Sequence, residues 1–229
     1  RRTPRPPGLG RPDPRRMDNV THTLAGLLVG EATVRLRAAR TGRTPSDAFR
    51  RAAWIAGAIG ANLPDLDVLY TTLAGDPLTY LLHHRGHTHT LVAAVPGIAL
   101  VWALGAWLAR RPVAAPSDTG AAAATGRHAA PDVAASPAGD GTADARWLLA
   151  LATVAVLSHV ALDWTNNYGV HPFWPVDDRW SYGDAVFIVE PWLWVAAVPP
   201  LLRAARGRRA RILLGLVLGA ALALAWGVG

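Results

Sequence analysis

Leu91–Ala109 runs Leu-Val-Ala-Ala-Val-Pro-Gly-Ile-Ala-Leu-Val-Trp-Ala-Leu-Gly-Ala-Trp-Leu-Ala and is closed by Arg110-Arg111. No charge interrupts it, and as a helix it is long enough to cross a hydrocarbon core of roughly 30 Å. The basic pair stops it at a membrane surface. The rest of the chain follows the same plan, with apolar residues at 51% and charged ones at 17%. They come in long blocks rather than in the scattered periodic pattern of a soluble protein, which predicts an all-α, multi-pass transmembrane bundle of about five to six membrane helices. Cysteine is absent. That removes disulfides, thiolate ligands and a cysteine nucleophile, and leaves any metal to His, Asp and Glu.

Immediately upstream lies His83-His84-Arg85-Gly86-His87-Thr88-His89, which holds four of the eight histidines. Each imidazole offers a nitrogen lone pair near neutral pH, so the cluster has the composition of a metal site. A solvated, pH-sensitive loop is the plainer alternative. His84 and His89 would diverge on a regular helix, whereas Gly86 lets the backbone turn so that both can face one ion.

Further upstream, Val20 to about Ala39 forms an apolar helix with His22 at one end and Arg35, Arg37 and Arg40 at the other. Residues 1–16 are rich in Arg and Pro and precede Met17, the only methionine. They are expected to be a disordered basic arm, or to lie upstream of a true start at Met17. Residues 17–229 then form a single membrane-embedded domain. Thr41 to Arg51 is a basic loop with Ser46 and Asp47 as N-cap candidates. It leads into a second apolar helix that ends near Asn62-Leu63-Pro64-Asp65-Leu66-Asp67. Asp65 and Asp67 follow a proline and belong on a turn, either as ligands or as helix caps.

Downstream, residues 112 to 145 have almost no large apolar side chains and are expected to be a flexible linker, with His128 idle inside it. Trp147 to Trp164 is the next apolar helix. Its His159 and Asp163 are four apart and so share one face, as two ligands would, or as a histidine and the carboxylate that orients it. Residues 167 to 190 gather Tyr168, His171, Phe173, Trp174, Trp180 and Tyr182, which suits a loop at the bilayer interface. An apolar stretch from about Ala185 to Leu202 and a last one from Ile212 to Gly229 complete the chain.

Arg-rich helix ends face the cytoplasm. If the basic stretches 35–51, 110–111 with 146, and 203–211 are all inside, then His22, Asp65, Asp67, the 83–89 cluster, His159 and Asp163 all fall at the outer side.

Thr-His-Thr near the start, Leu-Pro-Asp-Leu-Asp, His-Arg-Gly-x-Thr-His, and Ser-His-x-x-x-Asp followed by Tyr-Gly-Val-x-Pro-Phe-Trp-Pro resemble, in this order, the YdjM-like family of bacterial inner-membrane proteins. Those are described as predicted metal-dependent hydrolases. The resemblance covers Met17 to Trp194 apart from the linker. It implies His22, Asp65, Asp67, His84, His89, His159 and Asp163 as metal positions, with His83 and His87 as local additions. Glu190-Pro191 stands where that family often has Asp before Pro. A weaker likeness, of motif style only, is to zinc phospholipase C and the P1-type nuclease class. If that likeness holds, the substrate is a phosphoester, such as a lipid headgroup or lipid-linked phosphate.

The donor set suits Zn²⁺, or Mn²⁺, and is large enough for two ions and an activated water. Asp67, Arg85 and His87 are the candidates for direct catalytic roles, Arg85 either holding a phosphate oxygen or pairing with Asp65 or Asp67. The expected partners are the lipid bilayer and a small or lipid-linked phosphoester, with no nucleic acid. A metal-binding or transport protein without turnover is the competing class.

Overall fold

The computed structural model of the chain describes residues 19–67, 87–112, 141–167, 169–186 and 191–227. Among these, the regular elements are α1 Asn19–Thr41, α2 Asp47–Gly60, a 3₁₀ turn Pro64–Leu66, α3 Leu91–Ala109, α4 Gly141–Thr165, α5 Pro191–Ala204 and α6 Arg208–Gly227. An antiparallel bridge joins Val170 to Ser181.

The starts of two helices are set by side-chain caps. Ser46 Oγ accepts from the Phe49 amide at 3.1 Å and opens α2, so of the two N-cap candidates Ser46 is the cap and Asp47 sits in the first turn. Thr90 Oγ1 accepts from the Ala93 amide at 3.0 Å and opens α3. Its hydroxyl also donates to the His87 carbonyl at 3.0 Å, which folds the chain back just before the helix. Helix α4 begins at Gly141, inside the stretch expected to be linker. Its alanines favour a helix and Asp144 in the first turn suits the helix dipole. Asp144 is further held by Arg37 at 2.6 Å, and the Ala145 carbonyl by Trp102 Nε1 at 3.0 Å.

Helices α1, α2, α3 and α4 pack on one another, and α5 lies against α1 with α6 against α5. One core joins Val34, Phe49, Ala53, Val101, Leu148 and Val156 across the first four helices. A second joins Leu24 to Trp194, Val198, Leu201 and Leu214. The α1–α2 contact is backbone on backbone. A Cβ added at Gly26 would strike the Gly57 carbonyl, one at Gly57 would strike the Gly26 carbonyl, and one at Gly30 would lie 2.6 Å from the Ala53 carbonyl. Glycine is what allows the two helices to approach this closely.

Helices α3 and α4 are each long and apolar enough to cross a membrane. For α3 only 17% of the apolar window is buried in the protein, unlike the core helix of a soluble fold. Val92, Val95 and Leu100 point outward from it, which is costly in water and natural in lipid. Helices α2 and α5 have 14 residues each, short of the roughly 20 that a crossing takes.

The arginine-bearing ends gather at one pole. Arg37 of α1 pairs with Asp144 of α4. Arg50 of α2 donates to the Ala204 carbonyl of α5 at 2.5 Å, and Arg51 to the Arg111 carbonyl beyond α3 at 3.1 Å. Arg206 pairs with Asp47, and Arg211 of α6 donates to the Ala205 carbonyl at 2.8 Å. Glu31 is buried within α1 and is satisfied by Arg35, Arg50 and Trp54 at 2.8, 3.0 and 3.1 Å. The histidines and aspartates described next occupy the opposite ends of these helices.

Candidate metal centre

Three segments converge at that opposite pole. The proline turn after α2 delivers Asp65, the turn before α3 delivers His89, and α4 delivers His159 and Asp163 from one face. One donor atom from each lies within 4.8 Å of every other, and all four residues are buried. His89 Nε2 is 2.9 Å from His159 Nε2, 3.0 Å from Asp163 Oδ2 and 3.4 Å from Asp65 Oδ1. His159 Nε2 is 3.4 Å from both Asp65 Oδ1 and Asp163 Oδ2. Ligands on a tetrahedral ion at 2.0–2.2 Å are separated by about 3.3–3.6 Å, so these spacings are close to those of a four-coordinate shell.

The ring tautomers are pinned from outside. A carbonyl oxygen can only accept, so His159 Nδ1 donates to the Ala61 carbonyl at 2.7 Å. Thr88 Oγ1 donates to Asp67 Oδ2 at 2.8 Å, which uses its only proton. His89 Nδ1, 2.9 Å from that oxygen, must therefore donate to it. With both rings neutral, as metal ligation requires, both Nε2 atoms carry lone pairs that face each other across 2.9 Å. One proton could bridge that single pair. A divalent cation meets both nitrogens and both carboxylates at once and balances the two negative charges, so the donor set fits a metal ion. Without an ion the cluster is held by its own protons. Burial would raise the Asp65 carboxyl, but hydrogen bonds and charge from His159 and His89 outweigh it and hold Asp65 well below the usual carboxylate range.

The remaining expected residues fall into four groups. His22, in the first turns of α1, is buried, stacks on His159 at 3.9 Å between ring centroids and places Nε2 3.4 Å from Asp163 Oδ1. Its Nδ1 is buried with no hydrogen-bond partner among the described residues. Asp67 lies on the Nδ1 side of His89, at 3.8 Å, away from the four converging atoms. His87 is exposed, with its ring 4.8 Å from that of Trp174, edge to face. His83, His84, Arg85, His128, Tyr168 and Glu190 lie outside the described residues.

Several contributors were not legible as site residues. Thr88 carries the relay to Asp67, and its place beside His89 was the available signal. Asn166 Nδ2 lies 3.4 Å from Asp163 Oδ1, and Asn166 Oδ1 accepts from the Gly169 amide at 3.2 Å. Asn62 donates to Thr23 Oγ1 at 3.0 Å, and Trp194 Nε1 to Thr21 Oγ1 at 2.7 Å, fixing both flanks of His22.

An all-helical membrane protein with a buried His/Asp group able to hold a metal ion is the class that this architecture defines. Residues 17–228 match the family of the YdjM inner membrane protein, and the chain belongs to that family. No curated protein and no solved structure matches it. The likeness to zinc phospholipase C therefore rests on the His-x-x-x-Asp spacing alone.

Proposed function

We propose that the protein is a membrane-bound, metal-dependent hydrolase acting on a phosphoester at the outer face of the inner membrane. The observation that carries this reading is the pair of pinned imidazoles with facing Nε2 atoms 2.9 Å apart, flanked by two buried carboxylates. Asp65, His89, His159 and Asp163 would hold the ion, and two nitrogens with carboxylate oxygens and no thiolate suit zinc, with manganese the alternative. When bound, such an ion supplies Lewis-acid stabilisation of phosphoryl charge and acidifies water. The protein's own part is to keep the ligands oriented, through Ala61 behind His159 and the Thr88–Asp67 relay behind His89. Asp163 turns Oδ2 to the four-atom cluster and Oδ1 to His22, an arrangement that suits a second ion shared through the carboxylate. Arg85 is proposed to hold a phosphate oxygen, with Asp67 and His87 as further candidates for proton handling.

The arginine pole is assigned to the cytoplasm, with α1 and α6 as crossings beside α3 and α4. The test is hydrolysis of a generic phosphodiester and phosphomonoester by purified, zinc-loaded protein. Activity that disappears with the metal in His159→Ala supports the proposal. Stoichiometric metal with no turnover on any ester would move the protein to the binding or transport class. Arg85→Ala should lose turnover while the metal stays bound, and loss of both would make Arg85 a ligand-orienting group.

A further inference from the structure

Residues 169–186 are tied at both edges to the segments that carry His89 and Asp163. The Leu91 amide, first of α3 and two residues past His89, donates to the Pro172 carbonyl at 2.9 Å. On the other edge the Gly183 amide donates to the Trp164 carbonyl at 2.6 Å, the Ala185 amide to the Thr165 carbonyl at 2.8 Å, and Trp164 Nε1 to Ser181 Oγ at 2.9 Å. Paired hydrogen bonds between Val170 and Ser181, at 2.9 and 3.0 Å, close the segment on itself. Gly169 makes the entry with φ at 71°, where a Cβ would strike the Ser181 carbonyl. Yet this anchored segment turns Phe173, Trp174, Val176, Trp180 and Tyr182 outward, with Val176 93% exposed.

Helix α3 acts as a depth gauge. Its apolar span begins at Leu91, and its outward Leu91, Val92 and Val95 continue directly into Phe173 and Trp174 through the Leu91–Pro172 bond. The aromatic segment is thus joined to the end of an apolar span, and the ends of membrane spans are where Trp and Tyr are enriched. His89 lies two residues before the start of that apolar span.

We infer that residues 169–186 form a lip seated in the lipid interface, and that the substrate is a lipid-borne phosphoester that enters sideways from the bilayer. The substrate half rests on the hydrolase reading, whereas the seating does not. The chain has no cysteine, so Val176→Cys gives a unique label site far from the ligands. With an environment-sensitive fluorophore there and the full chain in phosphatidylethanolamine/phosphatidylglycerol vesicles, the emission should be blue-shifted. It should also be quenched by lipids brominated high on the acyl chain. Water-like emission quenched by iodide would overturn the lip.

For the substrate, zinc-loaded protein is given phosphatidylglycerol in vesicles and glycerophosphoglycerol in solution. The lipid should be hydrolysed faster, and Phe173→Asp with Val176→Asp should lower the lipid-to-soluble activity ratio by about tenfold or more, as expected from withdrawing two apolar side chains from lipid. Preference for the soluble ester, or an unchanged ratio in the variant, would overturn the sideways entry while leaving the hydrolase reading intact. Activity on neither probe would overturn the lipid-borne substrate, and inactivity on the generic phosphodiester and phosphomonoester as well would overturn the hydrolase reading.

Discussion

Replacing Thr88 by valine keeps the side-chain shape but removes the hydroxyl that links His89 to Asp67. In the native site that hydroxyl accepts from His89 Nδ1 at 2.9 Å and donates to Asp67 Oδ2 at 2.8 Å, with both neighbours essentially inaccessible to water. The relay keeps the proton on Nδ1 and the lone pair on Nε2. Without it the ring can carry its proton on Nε2, where a metal must bind, and loses one constraint on its orientation. Outer partners of metal-bound histidines are worth about 10–100-fold in affinity, or roughly 1.4–2.7 kcal/mol. The lower end is expected, because Asp67 Oδ2 is already 3.8 Å from His89 Nδ1 and can move in to accept directly. Competition against a chromophoric chelator in detergent measures the affinity. Thr88→Ser, which keeps the hydroxyl, should bind within about twofold of the native protein. Native affinity in Thr88→Val, alongside loss of binding in His89→Ala, would refute the relay.

Three further outcomes follow from the same geometry. Gly57→Leu should destabilise the α1–α2 contact by about 1–3 kcal/mol and lower the midpoint of thermal unfolding in detergent, and an unchanged midpoint would mean that the backbones do not meet there. Metal affinity should fall as pH is lowered from 8 to 5 by about one to two decades per unit at the acid end, because protons compete for both imidazoles. Asp65, held below the usual carboxylate range, stays ionised across that window and adds nothing to the slope, so a flat profile would argue against imidazole ligands. A topology reporter placed after Arg110 or Arg206 should give a cytoplasmic signal and one within 169–182 an external signal, and the reverse would invert the assignment of the two poles.

How far the sequence could be read depended on where the information sits. The bounds of α3 were legible because an uninterrupted apolar block is closed by two arginines. The turn carrying Asp65 was legible because Pro64 forbids a regular helix, and the pairing of His159 with Asp163 because four residues make one helical turn. The start of α4 was not, since alanine, glycine and aspartate serve a linker and a first helical turn equally well until Arg37 supplies a partner. Nor could the sequence place Asp67 behind His89 rather than beside Asp65. Two residues along a 3₁₀ turn point in different directions, and the deciding contact comes from Thr88, far along the chain. The Ala61 carbonyl that pins His159 leaves no trace in residue type at all, because every residue has one.

The central claim is that Asp65, His89, His159 and Asp163 together hold a divalent metal, and elemental analysis of the purified protein tests it most directly. The native chain, purified without chelator and equilibrated with zinc, should carry at least one tightly held ion per chain, and His159→Ala and Asp163→Ala should each lose it while remaining folded by circular dichroism. A native protein without stoichiometric metal, or full metal retention in both variants, would contradict the account.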